Sequence, residues 1–395
     1  MSNELKRDYK KHRYRVTFNK RPHADTKTYN FGRTRNIGLR VDYQCAEVSF
    51  EMTGLKSAED LVTFNSKLFR DAYRKILFVH AVKMSEGLKV RKLIIDIDGV
   101  KSVFDEKNDA NGHFPFMFSM IGDRDLQLDS SWEGLEDIII NTTKSNQDED
   151  VRFAAVHAYL SAKNRVYAID KFTNLWTAMN AYYNYCAGQY EKQLKADYGV
   201  TELKRSLKLA GSDRDALGLI CWLLDSHFPM IGEEGKSAEL KALWKNNYEV
   251  EEYLRTLPAE DIEKLYDAAS AELRGEEIPD RFAALSNRAG QFGVKLMPFL
   301  LLQYAYNWRC RLLHGNRSTF LFMAYNDYEL SVMHTINYFL ERFLNDAIPK
   351  IFEDSYWDQE KQQMAIDYMR HIRMKGGKDV FQKNLDALIA AQSVK

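Results

Sequence analysis

The sequence predicts two domains of different class: an α+β domain over residues 1–145, then a mainly α-helical domain over 150–350 with a helical tail over 351–395. Three observations predict this. At 395 residues the chain is longer than a single core usually serves. Short runs of alternating apolar and polar residues crowd the first third, whereas apolar residues recur at three-to-four spacing further on. Only 7 prolines and 20 glycines punctuate the whole length, which favours long helices.

The elements follow in order. RYRVTFN (13–19) and NIGLRVDYQCAEVSFEMTG (36–54) are rich in β-branched and aromatic residues that alternate with polar ones, so both predict strands. Ser57 is a candidate N-cap, with Glu59 and Asp60 suited to a first turn, and the helix it opens is expected to reach about Ser85. KLIIDI (92–97) and HFPFMFSMI (113–121) predict further strands, and NTTKSNQDEDVR (141–152) a linker or surface loop. A helix is expected over 151–192, with Leu175, Trp176, Met179, Tyr182 and Tyr183 on one stripe. Others are expected over 213–226, two within 237–275, one over 293–314, and one over 327–348 that Pro349 stops. That last helix carries Leu330, Met333, Leu340, Phe343 and Leu344 on one face. The tail predicts one or two amphipathic helices broken at Gly376-Gly377.

Charge cancels over the chain, 56 basic against 56 acidic residues, which argues against a globally basic protein that coats nucleic acid. The distribution is uneven. Residues 1–40 hold 12 Lys/Arg against three Asp/Glu, while the remainder holds 44 against 53. Such a leading segment is either a polyanion contact or a solvated terminus. Cys45, Cys186, Cys221 and Cys310 lie far apart without a CxxC, so small buried hydrophobes are expected, not a zinc or disulfide framework. No apolar run approaches the roughly 20 residues of a membrane span, and the basic start has no apolar stretch behind it, so a soluble, cytoplasmic protein without membrane partners is expected. The sequence has no GxxxxGK[ST], no GxGxxG after a strand, no GxSxG and no HExxH. ATPase, dehydrogenase, α/β-hydrolase and zincin chemistry all need those residues.

IIDIDGV (94–100) resembles the strand-end DxDG of haloacid-dehalogenase-type phosphatases, where paired carboxylates hold Mg²⁺ and one attacks phosphorus. That chemistry needs a βαβ sheet downstream, and the chain here turns helical. Asp98-Gly99 is more simply a turn between two strands.

The most informative stretch is FLLLQYAYNWRCRLLHGNRS (299–318). An apolar helix leads to Asn307-Trp308, presents Arg309 and Arg311, and closes on His314-Gly315-Asn316, with Gly315 suited to a helix C′ position. Here the chain resembles the HEPN superfamily, whose hallmark is R-x(4–6)-H near the end of a core helix, and within it the Apea-like branch. FTNLWTAMNAYYNY (172–185) is similar to that branch's upstream helix. The resemblance covers roughly 150–350, with a large insert between its halves. Four of the nine histidines satisfy the spacing, and context singles out Arg309/His314: an apolar helix before it, an HG stop, and a further helix at 327–348 to pack back on it.

The resemblance implies a HEPN-like helical bundle, a homodimer, and metal-independent cleavage of RNA with no cofactor, in prokaryotic phage defence or a toxin system. The residues suit that chemistry. An imidazole takes or gives a proton near neutral pH, which would make His314 the general acid/base. A guanidinium is a fixed fork for phosphate oxygens, the role that falls to Arg309. On a helix the two lie about 140° apart, so they would flank a groove that a second chain completes more readily than one chain alone. Arg311, Asn316 and Arg317 are candidates for RNA contact or for orienting His314. Three alternatives stand beside this reading. His314 can instead be a helix C-terminal residue placed against the dipole. The domain can be a non-catalytic RNA-binding or dimerisation module, with Cys310 and Asn180 marking lost chemistry. It can also be the helical partner of a nucleotidyl-transfer enzyme. Tyr182, Tyr183, Tyr185, Tyr304, Tyr306 and Trp308 are expected in core packing ahead of base stacking, and MRHIRMKGGK (369–378) as a solvated helix end ahead of a basic contact.

Overall fold

The computed structural model describes residues 11–18, 27–34, 37–44, 47–53, 78, 81–82, 90–97, 100–105, 126, 128–135, 147–198, 213–225, 247–313, 327–353 and 359–373. The chain divides into two compact units, Met1–Val166 and Tyr167–Lys395.

Among the described residues, the first unit has six strands: β1 (Lys11–Phe18), β2 (Lys27–Thr34), β3 (Ile37–Gln44), β4 (Glu47–Thr53), β5 (Val90–Ile97) and β6 (Val100–Asp105). They form one sheet in the order β2-β3-β4-β1-β5-β6. Every neighbouring pair is antiparallel, with Tyr14 of β1 opposite Phe50 of β4 on one side and Ile95 of β5 on the other. The β-rich run 36–54 is thus two paired strands, and β2 and β6 are strands that the alternation did not single out. Ile97 faces Val100 across β5 and β6, the register of a two-residue hairpin. Asp96 therefore sits in an antiparallel ladder between Arg13 and Lys101, not at the end of a parallel strand as the phosphatase motif requires. Asp98, Gly99, most of the helix expected over 57–85 and the strand expected over 113–121 lie outside the described residues; Phe78, Ala81 and Val82 are helical and buried. Helix α1 (Gln147–Lys163) closes the unit. Its Phe153 stacks on Phe78 at 5.5 Å and its Tyr159 on Trp132 at 5.2 Å.

The helix expected over 151–192 is two helices, α1 and α2 (Ala168–Tyr198). The break follows from Asn164, whose side-chain amide donates to the Leu160 carbonyl at 3.1 Å and takes the place of the next backbone donor.

Beyond residue 166 every described element is helical, as the sequence predicts. The order is α2, α3 (Asp213–Leu224), α4 (Asn247–Thr256), α5 (Ala259–Leu273), α6 (Ala283–Gln291), α7 (Leu296–Phe299), a π-helical segment (Leu300–Ala305), α8 (Tyr306–Leu313), α9 (Asp327–Lys350) and α10 (Gln359–Arg373). Pro258 separates α4 from α5 and serves as the residue before the first turn of α5. At the other end of α5, Gly275 adopts φ +79° and the Glu276 amide donates to Ala271 O at 3.1 Å, a Schellman stop that needs the left-handed conformation. Pro349 lies inside the last turn of α9 instead of preceding its end. The chain stops one residue later through i→i−3 bonds, Phe352 N–H to Pro349 O at 3.0 Å among them.

Helices α2 and α9 form the centre of the second unit. Phe172, Leu175, Trp176, Met179, Tyr182, Tyr183 and Cys186 make the buried stripe of α2, and Met333, Ile336, Leu340, Phe343 and Leu344 that of α9. Tyr182 meets Phe343 edge-on at 5.9 Å. Asn337 of α9 donates to the Ala168 carbonyl at 2.7 Å, and Lys171 pairs with Glu341, so polar contacts fix the register of the same two helices. Helix α10 packs on α3, where Gly218 leaves room for Tyr368. No helix among the described residues is long and apolar enough to cross a membrane.

Candidate functional site

The segment from Leu296 to Leu313 is anchored at its start by two carboxylates. Asp225, at the end of α3, accepts from the Lys295 backbone N–H, and Glu272 of α5 accepts from that of Leu296. Both fill the role of a cap where α7 has no side-chain cap of its own, and both favour the positive end of the helix dipole. The segment then runs through the core: Leu296, Met297, Phe299 and all six residues of the π segment are buried. The surface opens only at the far end. Asn307 and Trp308 of α8 are buried, while Tyr306, Arg309, Cys310, Arg311 and Leu312 are half-buried.

Arg309 lays its guanidinium over the Tyr306 ring at 5.7 Å. Tyr306 in turn meets Trp176 of α2 edge-on at 6.0 Å. The two stretches that carry the resemblance, 172–185 and 299–318, are therefore in direct contact through one indole and one phenol. Asn180, further along α2, receives a hydrogen bond from the Asn184 amide.

Arg311 is committed differently. Its Nη1 donates to Glu251 of α4 at 3.0 Å, and its guanidinium stacks over Trp308 at 5.3 Å. Glu251 is only 6% exposed; burial raises its carboxyl pKa, an effect that Arg311 opposes and Glu329 of α9 adds to. Burial also raises Glu329, again opposed by Arg311. The guanidinium thus ties α8 to α4 through Glu251, and its charge also acts on Glu329 of α9. His314, Asn316, Arg317 and Gly315 lie outside the described residues, as does the cluster 374–378.

No family model matches the sequence, and no curated protein or solved structure matches it.

Sequence reasoning missed Glu251 and Glu329, because neither lies near Arg311 along the chain. The α9 face bearing His334, Asn337, Tyr338 and Glu341 was not singled out from the sequence either, although its polar residues recur at three-to-four spacing. It lines a cleft of about 600 Å³ with Lys171, Ala259 and Ile262. Cys186 and Cys221 are buried, Cys310 is half-buried, and Cys45 lies outside the described residues. Among the described residues, no group of three or more His, Cys, Asp or Glu side chains is placed to hold a metal ion.

Proposed function

We propose that the C-terminal helical domain is a HEPN-like, metal-independent endoribonuclease acting as a homodimer, with Arg309 binding the phosphate oxygens and His314 serving as general acid/base. The observation that carries the reading is the contact chain Trp176–Tyr306–Arg309, which joins the two resembling segments and holds the guanidinium at the half-buried end of an otherwise buried helix. His314 follows directly on Leu313, the last residue of α8. In this reading Arg309 relieves charge on the phosphorane while the imidazole moves a proton on the attacking 2′-hydroxyl or the leaving oxygen. Asn316 and Arg317 extend the RNA contact, and the N-terminal α+β domain serves as sensor or second RNA contact. The resemblance adds a role in phage defence or a toxin system in the cytoplasm.

A second reading is a non-catalytic RNA-binding or dimerisation module. One observation favours it: Arg311 is engaged by Glu251, so that cation supports the fold ahead of any RNA. Incubating the full-length protein with labelled RNA in EDTA separates the two. Chelator-resistant cleavage lost in both Arg309→Ala and His314→Ala supports the nuclease. Binding without cleavage in the wild type supports the module.

A further inference from the structure

The sheet of the first unit ends at β2 on one side and at β6 on the other. The two edge strands differ. Along β2 the register with β3 shifts between Phe31 and Thr34, an irregularity of the kind that keeps an edge from pairing with another chain. β6 (VKSVFD) holds neither glycine nor proline and pairs with β5 without a shift, from Lys92 opposite Asp105 to Ile97 opposite Val100.

The register also sets which backbone groups of β6 are left over. In a two-residue hairpin the flanking residues, here Ile97 and Val100, form a hydrogen-bonded pair, and such pairs alternate along an antiparallel ladder. Val100, Ser102 and Phe104 therefore direct N–H and C=O toward β5. Lys101, Val103 and Asp105 direct theirs to the side on which no described strand follows.

Those three residues also share one face of the sheet, and charge alternates across that face from strand to strand. Arg40 of β3, Glu51 of β4, Arg13 of β1, Asp96 of β5 and Lys101 of β6 stand in one row. Lys101 and Asp105 lie on either side of Val103 with opposite signs. Two copies of β6 laid antiparallel about Val103 set each Lys101 opposite Asp105 of the other copy, so the alternating row continues across the seam. Centring the pair on Ser102 sets Lys101 against Val103, and centring it on Phe104 sets Asp105 against Val103. Of these three registers, only the one about Val103 matches the charges. The opposing charges within the chain, Asp96 and Lys92, would by themselves suit a solvated edge; what they leave unexplained is the outward backbone of the same residues.

We propose that β6 is a self-association edge, which pairs antiparallel about Val103 with β6 of a second copy of this chain and joins two six-stranded sheets into one. The contact belongs to the first unit and does not depend on the helical-domain dimer.

The test uses the full-length chain carrying Val103→Cys, oxidised with glutathione disulfide, with the wild type treated alongside as background. Facing residues of a hydrogen-bonded pair lie about 5.5 Å apart at Cα, within reach of a disulfide. A covalent dimer linked 103 to 103 should form and be located by peptide mass. Ser102→Cys, whose two copies would stand about 8 Å apart, should give a small fraction of that yield. Adding Lys101→Asp or Asp105→Lys to Val103→Cys sets like charges across the seam and should lower the yield. Mixing those two variants should restore it as a mixed dimer, since each supplies the sign the other lacks, a rescue that misfolded chains would not show. The proposal is overturned if Val103→Cys gives no dimer above background at about 100 μM chain, if Ser102→Cys crosslinks as well, or if the charge variants crosslink no better mixed than alone. A dimer held only by the helical domain gives the first of these results, so the two contacts are told apart.

Discussion

Two helical glycines offer a matched test of the packing. A Cβ built on Gly218 of α3 overlaps the Tyr368 hydroxyl oxygen and lies 3.1 Å from its Cζ, whereas one built on Gly188 of α2 meets nothing within 4 Å. Tyr368 is fully buried and sits on α10, so it cannot swing into solvent without lifting that helix off α3. Overpacking of this kind costs about 1–3 kcal/mol. The better helix propensity of alanine returns about 0.5–1 kcal/mol. Gly218→Ala should therefore destabilise by about 1–2 kcal/mol, and Gly188→Ala should stabilise by about 0.5–1 kcal/mol. In a unit of this size each kcal/mol moves the melting temperature by about 2–4 °C. Adding Tyr368→Phe to Gly218→Ala removes the oxygen that the new methyl strikes, so the pair should couple favourably by about 1–2 kcal/mol. Urea denaturation of the four single and double variants measures this. If Gly218→Ala is as stable as Gly188→Ala, or if the double variant shows no coupling, the placement of Tyr368 over Gly218 is wrong.

Three further outcomes are expected. Glu251→Ala should cost about 1–3 kcal/mol, because it strips a half-buried guanidinium of its partner; a double-mutant cycle with Arg311→Ala that shows no coupling would refute the pairing. Burial raises the carboxyl pKa of both Glu251 and Glu329, so the folded chain binds these protons more tightly than the unfolded one. Their contribution to stability is then full below the unfolded value of about 4.3 and is lost as pH rises through the raised folded values. Glu329→Gln should flatten that decline in a pH series of melting temperatures, and an unaltered slope would count against it. Trp176→Ala should lose about 3–5 kcal/mol, as expected for a large buried ring; near-wild-type stability would mean that the indole is not packed against Tyr306.

The helical half was legible because its signal is local. Three-to-four spacing in 175–183 and 333–344 marked faces that the structure buries, whereas Leu330 is only half-buried. The boundary signals did less well: Pro349 lies inside α9, and the Asx-rich run 141–152, expected as a linker or loop, is helical from Gln147 onward. Where the reading failed, the cause was also local. Asn164 ends α1 through a side-chain bond that no apolar period reveals. Helix α6 escaped notice because it is short and buries only Leu285 and Ala289. β2 and β6 went unnoticed because KTYNFGRT and VKSVFD carry little alternation, and their pairing partners supply the order. At the candidate site, the burial of 296–305 and the emergence at Arg309 could be read from the apolar run. The carboxylates that engage Arg311 could not, since Glu251 stands 60 residues upstream and only the fold brings it near.

The π-helical stretch at Leu300–Ala305 has a consequence for how this region can change. A wide turn of that kind holds a residue more than an ordinary helix would need to cover the same rise. Dropping a single residue there lets the coil tighten while both flanks keep their facing, so Arg309 would still look the way it does now. The same excision in α2 or α9 would rotate everything downstream by about 100°. Among the described helices, the segment that delivers the arginine thus carries a π turn that absorbs a change in chain length on the spot.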